Sequence, residues 1–373
     1  MSDFWLDFPN FLVCITLVLM AHLRGVINFN VATVLFASSI VPFLLNDMLF
    51  PASYMPDQFR YWEVTKSLRE LNFSVWDRTL SINFSSAVLA LFPLPFMHTI
   101  VSLGFVNKFI YLFSVVGLVR ARIASHSILL FLVLYPSLIL YTSLSLRDTL
   151  VVVFMLLGFL MVIKNKFFLA FLFLSPLLVI KSQNVFIMLI FVSIYIFFGV
   201  GRQGLSASRF FFLLVGLGLM MIAIYPLAID QINFYRIAMF AEDGGDPEKI
   251  EVISGFGDFL LNGITGALYF LIKPLPWEAE NILQLVQSFE NAVVGVFLLW
   301  LTKKAWELNR EKTLFWILFL LGAFTIYGLV VFNYGTAARY RFPFLVVYVV
   351  CMAYDTGLVQ HWQNVRKKSL LGQ

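Results

Sequence analysis

Five short stretches of this sequence gather residues that could do chemistry. "SYMPDQFRYWEVTKSLREL" (53–71) carries Asp57 and Arg60, and "SLSLRDTL" (143–150) sets Arg147 directly before Asp148. "IKSQN" (180–184) supplies Lys181 and Gln183, "KPLPWEAE" (273–280) has Lys273, Trp277, Glu278 and Glu280, and "NYGTAARYRFPF" (333–344) has Tyr334, Arg339 and Arg341. Guanidinium forks match phosphate and diphosphate oxygens bidentately, and an ammonium adds a point charge. Arg60, Arg147, Lys181, Lys273, Arg339 and Arg341 are therefore candidate ligands for such a group. Gln183, Trp277 and Tyr334 are candidates for the neutral parts of the same substrate, the aromatics by stacking on sugar rings. Asp57, Asp148 and Glu280 are the candidate catalytic groups, as general bases or as partners that orient the arginines.

The elements that must position these residues are read from composition. Of 373 residues 61% are hydrophobic and only 13% charged, with 42 Phe. A soluble domain is about a quarter charged, so most of this chain is solvated by lipid tails. The expected fold is all-α: one integral membrane domain over 1–373, a bundle of about eleven spanning helices plus two re-entrant or interfacial segments. Apolar runs lie near 8–23, 29–49, 99–119, 123–140, 149–163, 167–180, 185–200, 210–228, 289–302, 313–332 and 342–356. The first is read as a spanning helix and not a cleavable leader, because it lacks a basic start and Asp3 and Asp7 precede it. The two irregular segments are 85–96, broken by Pro93 and Pro95, and 263–277, which ends in Lys273-Pro274.

Basic residues mark alternate connections: Arg120 and Arg122, Lys164 and Lys166, Arg202 and Arg209, Lys303 to Lys312, and Arg366 to Lys368. Cytoplasmic loops collect such residues. The opposite face then receives the long loops 50–84 and 229–288 and the five stretches above. A single arginine at a helix end is ordinarily a snorkelling anchor, and Trp277 or Tyr340 suits an aromatic belt. Arg147, Lys181, Lys273, Arg339 and Arg341 together break the charge rule for the outer side, and charges at membrane depth are read as functional by default. Asp148 has two uses: it orients Arg147, or it complements the dipole at the start of the following helix.

Other function classes find little purchase. The net charge of +5 is accounted for by the cytoplasmic loops, and no nucleic-acid-binding motif occurs. Two cysteines in apolar runs and four scattered histidines give neither a disulfide framework nor a metal motif. No phosphate-binding glycine loop for a nucleotide and no fixed-period repeat is present. No cofactor and no metal are expected.

Three stretches carry a resemblance. "NYGTAARYRFPFLVVYVV" resembles a segment that begins a late spanning helix in lipid-dependent sugar transferases of the GT-C type. "PSLILYTSLSLRDTLVVVF" and "KPLPW" with Glu280 are similar to segments of O-antigen and exopolysaccharide polymerases (Wzy-type). That resemblance implies a glycosyltransferase of the bacterial inner membrane with its site facing the periplasm, moving glycan between undecaprenyl-diphosphate-linked oligosaccharides. It places carrier or sugar binding on Arg147, Arg339 and Arg341, with Lys181 and Lys273 beside them. It also implies a chain-length-regulating membrane co-polymerase as a partner. "PDQFRYW" looks as much like the acidic first loop of GT-C monosaccharide transferases, where the base would be Asp57. A transferase using a lipid-monophosphate sugar is thus the alternative, and a lipid-linked glycan transporter the third reading.

Overall fold

The computed structural model describes residues 4–46, 48–242 and 246–370. The described residues are all-helical, with one isolated bridge between Asn46 and Phe50. Among the described residues, six helices are long and apolar enough to cross a membrane: Trp5–Leu23, Ile100–Arg120, Ala207–Ala241, Ile282–Leu308, Arg310–Gly328 and Tyr334–Asp355. Shorter apolar helical segments include Phe29–Leu45 and Phe167–Ile180, each interrupted once, and Leu80–Ala90, Asp148–Ile163, Ser182–Phe197 and Phe256–Ile272.

Several runs that read as continuous are broken, and prolines account for two of the breaks. The run 123–140 divides into His126–Leu134 and Pro136–Tyr141, with Tyr135 extended between them. Phe167–Leu174 stops before Pro176, and Leu177–Ile180 follows. Proline lacks the N–H that would continue a helix and disfavours helical geometry in the residue before it. One run goes the other way. The segment expected to end at 228 continues as a helix from Ala207 to Glu242. At 1.5 Å per residue its 36 residues reach about 54 Å, against a hydrocarbon core of about 30 Å. Neither long loop is irregular throughout: 50–84 contains the helix Asp57–Arg69, and 229–288 contains Phe256–Ile272.

The chain divides into two compact units, Met1–Met188 with Val359–Gln373, and Leu189–Leu358. In the first, Phe4–Leu23 packs on Ile100–Arg120, and Asp57–Arg69 packs on Leu80–Ala90. Buried polar groups pin these elements. Asp7 accepts from Thr99 and Ser102 at the cap of the Ile100–Arg120 helix. Asn107 donates to the carbonyls of Leu144 and Leu146 at 2.6 and 2.7 Å, fixing the loop that leads into Arg147. Lys108, one residue on, is fully buried beside the Tyr111 ring.

In the second unit Phe256–Ile272 packs closely on Arg310–Gly328, and Tyr334–Asp355 is buried over most of its length. The close packing depends on Gly266 and Gly328, because a Cβ on Gly328 would meet the Gly266 carbonyl at 2.3 Å. Small residues let membrane helices approach in this way. A buried knot closes one end of the unit. Asp355 accepts from Lys312 at 2.8 Å, Tyr195 at 2.9 Å and Trp316 at 3.0 Å.

Candidate functional site

The second unit contains a cavity of about 330 Å³ bounded by Arg236, Asn262, Thr265, Tyr269, Lys273 and Tyr334, with Gly266 and Gly328 at its apolar side. Each polar wall has a local cause. Arg236 lies near the end of the long Ala207–Glu242 helix and is 7% exposed. It donates to the carbonyls of Leu329 at 2.5 Å and Glu251 at 3.2 Å, and its guanidinium stacks 5.2 Å from the Phe332 ring. Its Nε is buried without a hydrogen-bond partner. A buried donor left unmatched is costly, and Arg236 carries one at the cavity wall.

Lys273 follows the last residue of Phe256–Ile272. Its ammonium sits 4.3 Å from the Tyr269 ring centroid and 2.9 Å from the Glu278 carboxylate. The bond to Glu278 holds the lysine above its ordinary range, ahead of a smaller opposing effect of burial. Glu278 is held below its own range, first by the Leu275 N–H and then by Lys273. Both are therefore charged at neutral pH. The turn Pro276–Glu278 is what brings Glu278 back to Lys273.

Arg341 is placed behind this wall. It is 2% exposed and donates to the carbonyls of Phe270 at 2.9 Å and Leu271 at 2.7 Å, and to the Asn291 side chain. Asn291 in turn donates to Ile272 and Lys273 carbonyls at 3.2 and 2.7 Å. Helix ends leave their last carbonyls unmatched, and Pro274 has no N–H to offer Phe270. Arg341 supplies that donor, and its charge suits the negative end of the helix dipole. Its work in the structure is to hold the helix end that carries Lys273.

The remaining candidates of this unit are spread more widely. Tyr334 lines the cavity, and its carbonyl accepts from Gln287 at 2.7 Å. Arg339 is half-buried on the same helix. Trp277 is 80% exposed, and Glu280 is exposed with its N–H bonded to Gln284. The carboxylate that meets Lys273 is thus Glu278, two residues before the one singled out as catalytic.

In the first unit, Arg60 grips Asp77 with two bonds of 2.8 Å, and Thr79 adds a third contact at 3.2 Å. That grip pulls the Asp77 carboxyl down to about 2. Asp57 lies 3.7 Å from Arg60 and is half exposed. Arg147 donates to Ser81 at 2.6 Å, while Asp148 is buried as the first residue of Asp148–Ile163. Asp148 therefore stands at the positive end of that helix's dipole. Lys181 is buried just after Leu177–Ile180, and Gln183 is exposed. Asp77 and Arg236 are participants outside the five stretches that the sequence singles out. Asp77 has no signal of its own in sequence, and Arg236 lay beyond the assumed helix end.

Among the described residues no three His, Cys, Asp or Glu gather into a metal-binding cluster. No family model matches the chain, no curated protein matches it, and no solved structure matches its fold.

Proposed function

We propose that this chain is a glycosyltransferase of the bacterial inner membrane that joins oligosaccharide repeat units carried on undecaprenyl diphosphate, working on the periplasmic side. The observation that carries the reading is the cavity walled by Arg236 and Lys273 together with Asn262, Thr265, Tyr269 and Tyr334. Two cations on one cavity wall suit diphosphate oxygens, and the tyrosine faces suit a sugar ring.

In the proposed reaction an acceptor hydroxyl attacks the anomeric carbon of the donor glycan. A new glycosidic C–O bond forms, the bond from that carbon to the diphosphate oxygen breaks, and the lipid diphosphate leaves with the bonding pair. Arg236 and Lys273 stabilise the charge that grows on the leaving group, an effect that fixed donors deliver without reorganisation. The hydroxyl proton passes to a carboxylate. Glu278, tied to Lys273 and a weak base, is better suited to orienting the lysine. Glu280, exposed on the same loop, is the candidate base. The topology that goes with this reading has eleven crossings and two short segments at the outer side. A co-polymerase that sets chain length is the expected partner.

One observation favours a second reading. Asp57 begins the first-loop helix and is 46% exposed, where a GT-C transferase using a lipid-monophosphate sugar would keep its catalytic acid. A host lacking this gene separates the two when its surface glycan is run as a ladder. Collapse of long chains to a single complete repeat unit is expected, with Lys273→Gln and Arg236→Lys failing to restore them. A repeat unit short by one sugar would move the assignment to the single-sugar transferase.

A further inference from the structure

The first unit has a cavity of its own, about 630 Å³, where the last turn of Asp57–Arg69, the end of Leu80–Ala90 and the loop to His98 come together. Its walls are tied rather than loosely apposed. Trp62 donates to the Met97 carbonyl at 3.3 Å, and Arg69 donates to the carbonyls of Ala90 at 3.3 Å and Phe92 at 2.5 Å. Leu94 and Met97 form a buried apolar floor.

The rim combines two chemistries. Leu71 and Leu91 are 77% and 83% exposed, and Phe96 is also exposed. Leu71 takes a φ of +56°, a left-handed conformation in which Gly or Asn is usual, and so stands out beyond the helix end. Beside these side chains lie Lys66, Arg69 and His98, with Glu70 as the acidic member. Among the described residues neither Lys66 nor Arg69 forms an ion pair. Lys66 rests over the Trp62 ring at 5.5 Å, and the half-buried Arg69 is committed only to neutral carbonyls.

An exposed apolar rim next to two cations, neither of which is ion-paired to Glu70 or to any other described carboxylate, fits a molecule with acyl chains and one phosphate. Such molecules surround any chain embedded in a bilayer. We infer that this groove is a binding site for an anionic glycerophospholipid, its phosphate between Lys66 and Arg69 and its acyl chains along Leu71, Leu91 and Phe96. The inference does not rest on the proposed enzymatic activity.

The test is native mass spectrometry of the purified full chain in neutral detergent, titrated with phosphatidylglycerol or with phosphatidylcholine of the same acyl chains. Phosphatidylglycerol is expected to be retained about fivefold better per engaged cation. Lys66→Glu should remove that preference, and Leu91→Asp should lower retention of both lipids. Neither side chain is buried, so both variants should fold, whereas Arg69 holds the Leu80–Ala90 helix end and is not the variant to use. Equal retention of the two lipids by the wild type, or an unchanged preference in Lys66→Glu, would overturn the inference. So would displacement of phosphatidylglycerol by inorganic phosphate, which would mean an anion site without a lipid. Displacement by undecaprenyl phosphate at far lower concentration would also overturn it, by giving the groove to a glycan carrier.

Discussion

Replacing Gly328 by Ala sets two effects against each other, and the structure decides between them. Gly328 is the last residue of Arg310–Gly328, and neither it nor Gly266 takes a left-handed backbone. On propensity alone, Gly→Ala in a helix is favourable by up to about 1 kcal/mol. The new Cβ, however, would lie 2.3 Å from the Gly266 carbonyl and 2.8 Å from the Ala267 nitrogen. Ordinary contact begins near 3.4 Å, so the two helices must part by about 1 Å. The obstacle is backbone, which cannot swing aside as a side chain can, and overpacking of this kind costs about 1–3 kcal/mol. The net expectation is a loss of about 1–2 kcal/mol, or roughly 2–8 °C in the unfolding temperature for a unit of this size.

A functional loss should accompany it. Tyr269 and Lys273 ride on Phe256–Ile272, and a shift of about 1 Å between reacting groups can cost about a hundredfold in rate. The assay is thermal unfolding in detergent followed by tryptophan fluorescence, with glycan chain length read in parallel. Gly295→Ala is the control, since a Cβ there meets nothing within 4 Å, and it should match or exceed the wild type. If Gly328→Ala unfolds at or above the wild-type temperature, the close helix contact is not what holds this unit together.

Two further perturbations bear on the arginines. Arg341→Ala removes the donors to Phe270 and Leu271 and strands the Asn291 oxygen. It should cost about 3–5 kcal/mol, seen as a fall in unfolding temperature that tracks the loss of activity; lost activity with unchanged unfolding would instead make Arg341 a direct ligand. The Arg60–Asp77 grip gives a pH signature. Because the Asp77 carboxyl is depressed to about 2, its contribution is present above about pH 4 and lost as pH falls through about 2. The shift taken at face value is about 2.5 kcal/mol, reduced to about 1 because Arg60 is half exposed. The stability difference between wild type and Arg60→Gln should therefore shrink on acidification between those limits, and a difference that stays constant with pH would refute the assignment.

Apolar runs were legible from composition because lipid-facing helices are apolar nearly all round, and Asp148–Ile163 falls within a residue of the run read as 149–163. Helix ends were less legible. The apolar run 210–228 stops short of the charged Asp230, yet the residues from 231 to 242 include neither Gly nor Pro and continue the helix. Arg236 therefore lies beyond the apolar pattern that marks the span. The last apolar run begins at 342, whereas its helix starts at Tyr334. Arg341 is therefore two turns inside a buried helix, although in sequence it looks like its neighbour Arg339. The partnership of Lys273 with Glu278 depends on a tight turn at Pro276, which spacing alone does not reveal. Lys108 sits in the middle of an apolar run, and its burial is a property of packing that no local pattern announces.

The most direct test of the central reading uses purified protein in liposomes, supplied only with an undecaprenyl-diphosphate-linked repeat unit from its host and no nucleotide sugar. A ladder of products in whole multiples of that unit, lost in Lys273→Gln, is the predicted result. Products that grow by single sugars when a lipid-monophosphate sugar is added, with none from the repeat unit alone, would contradict it.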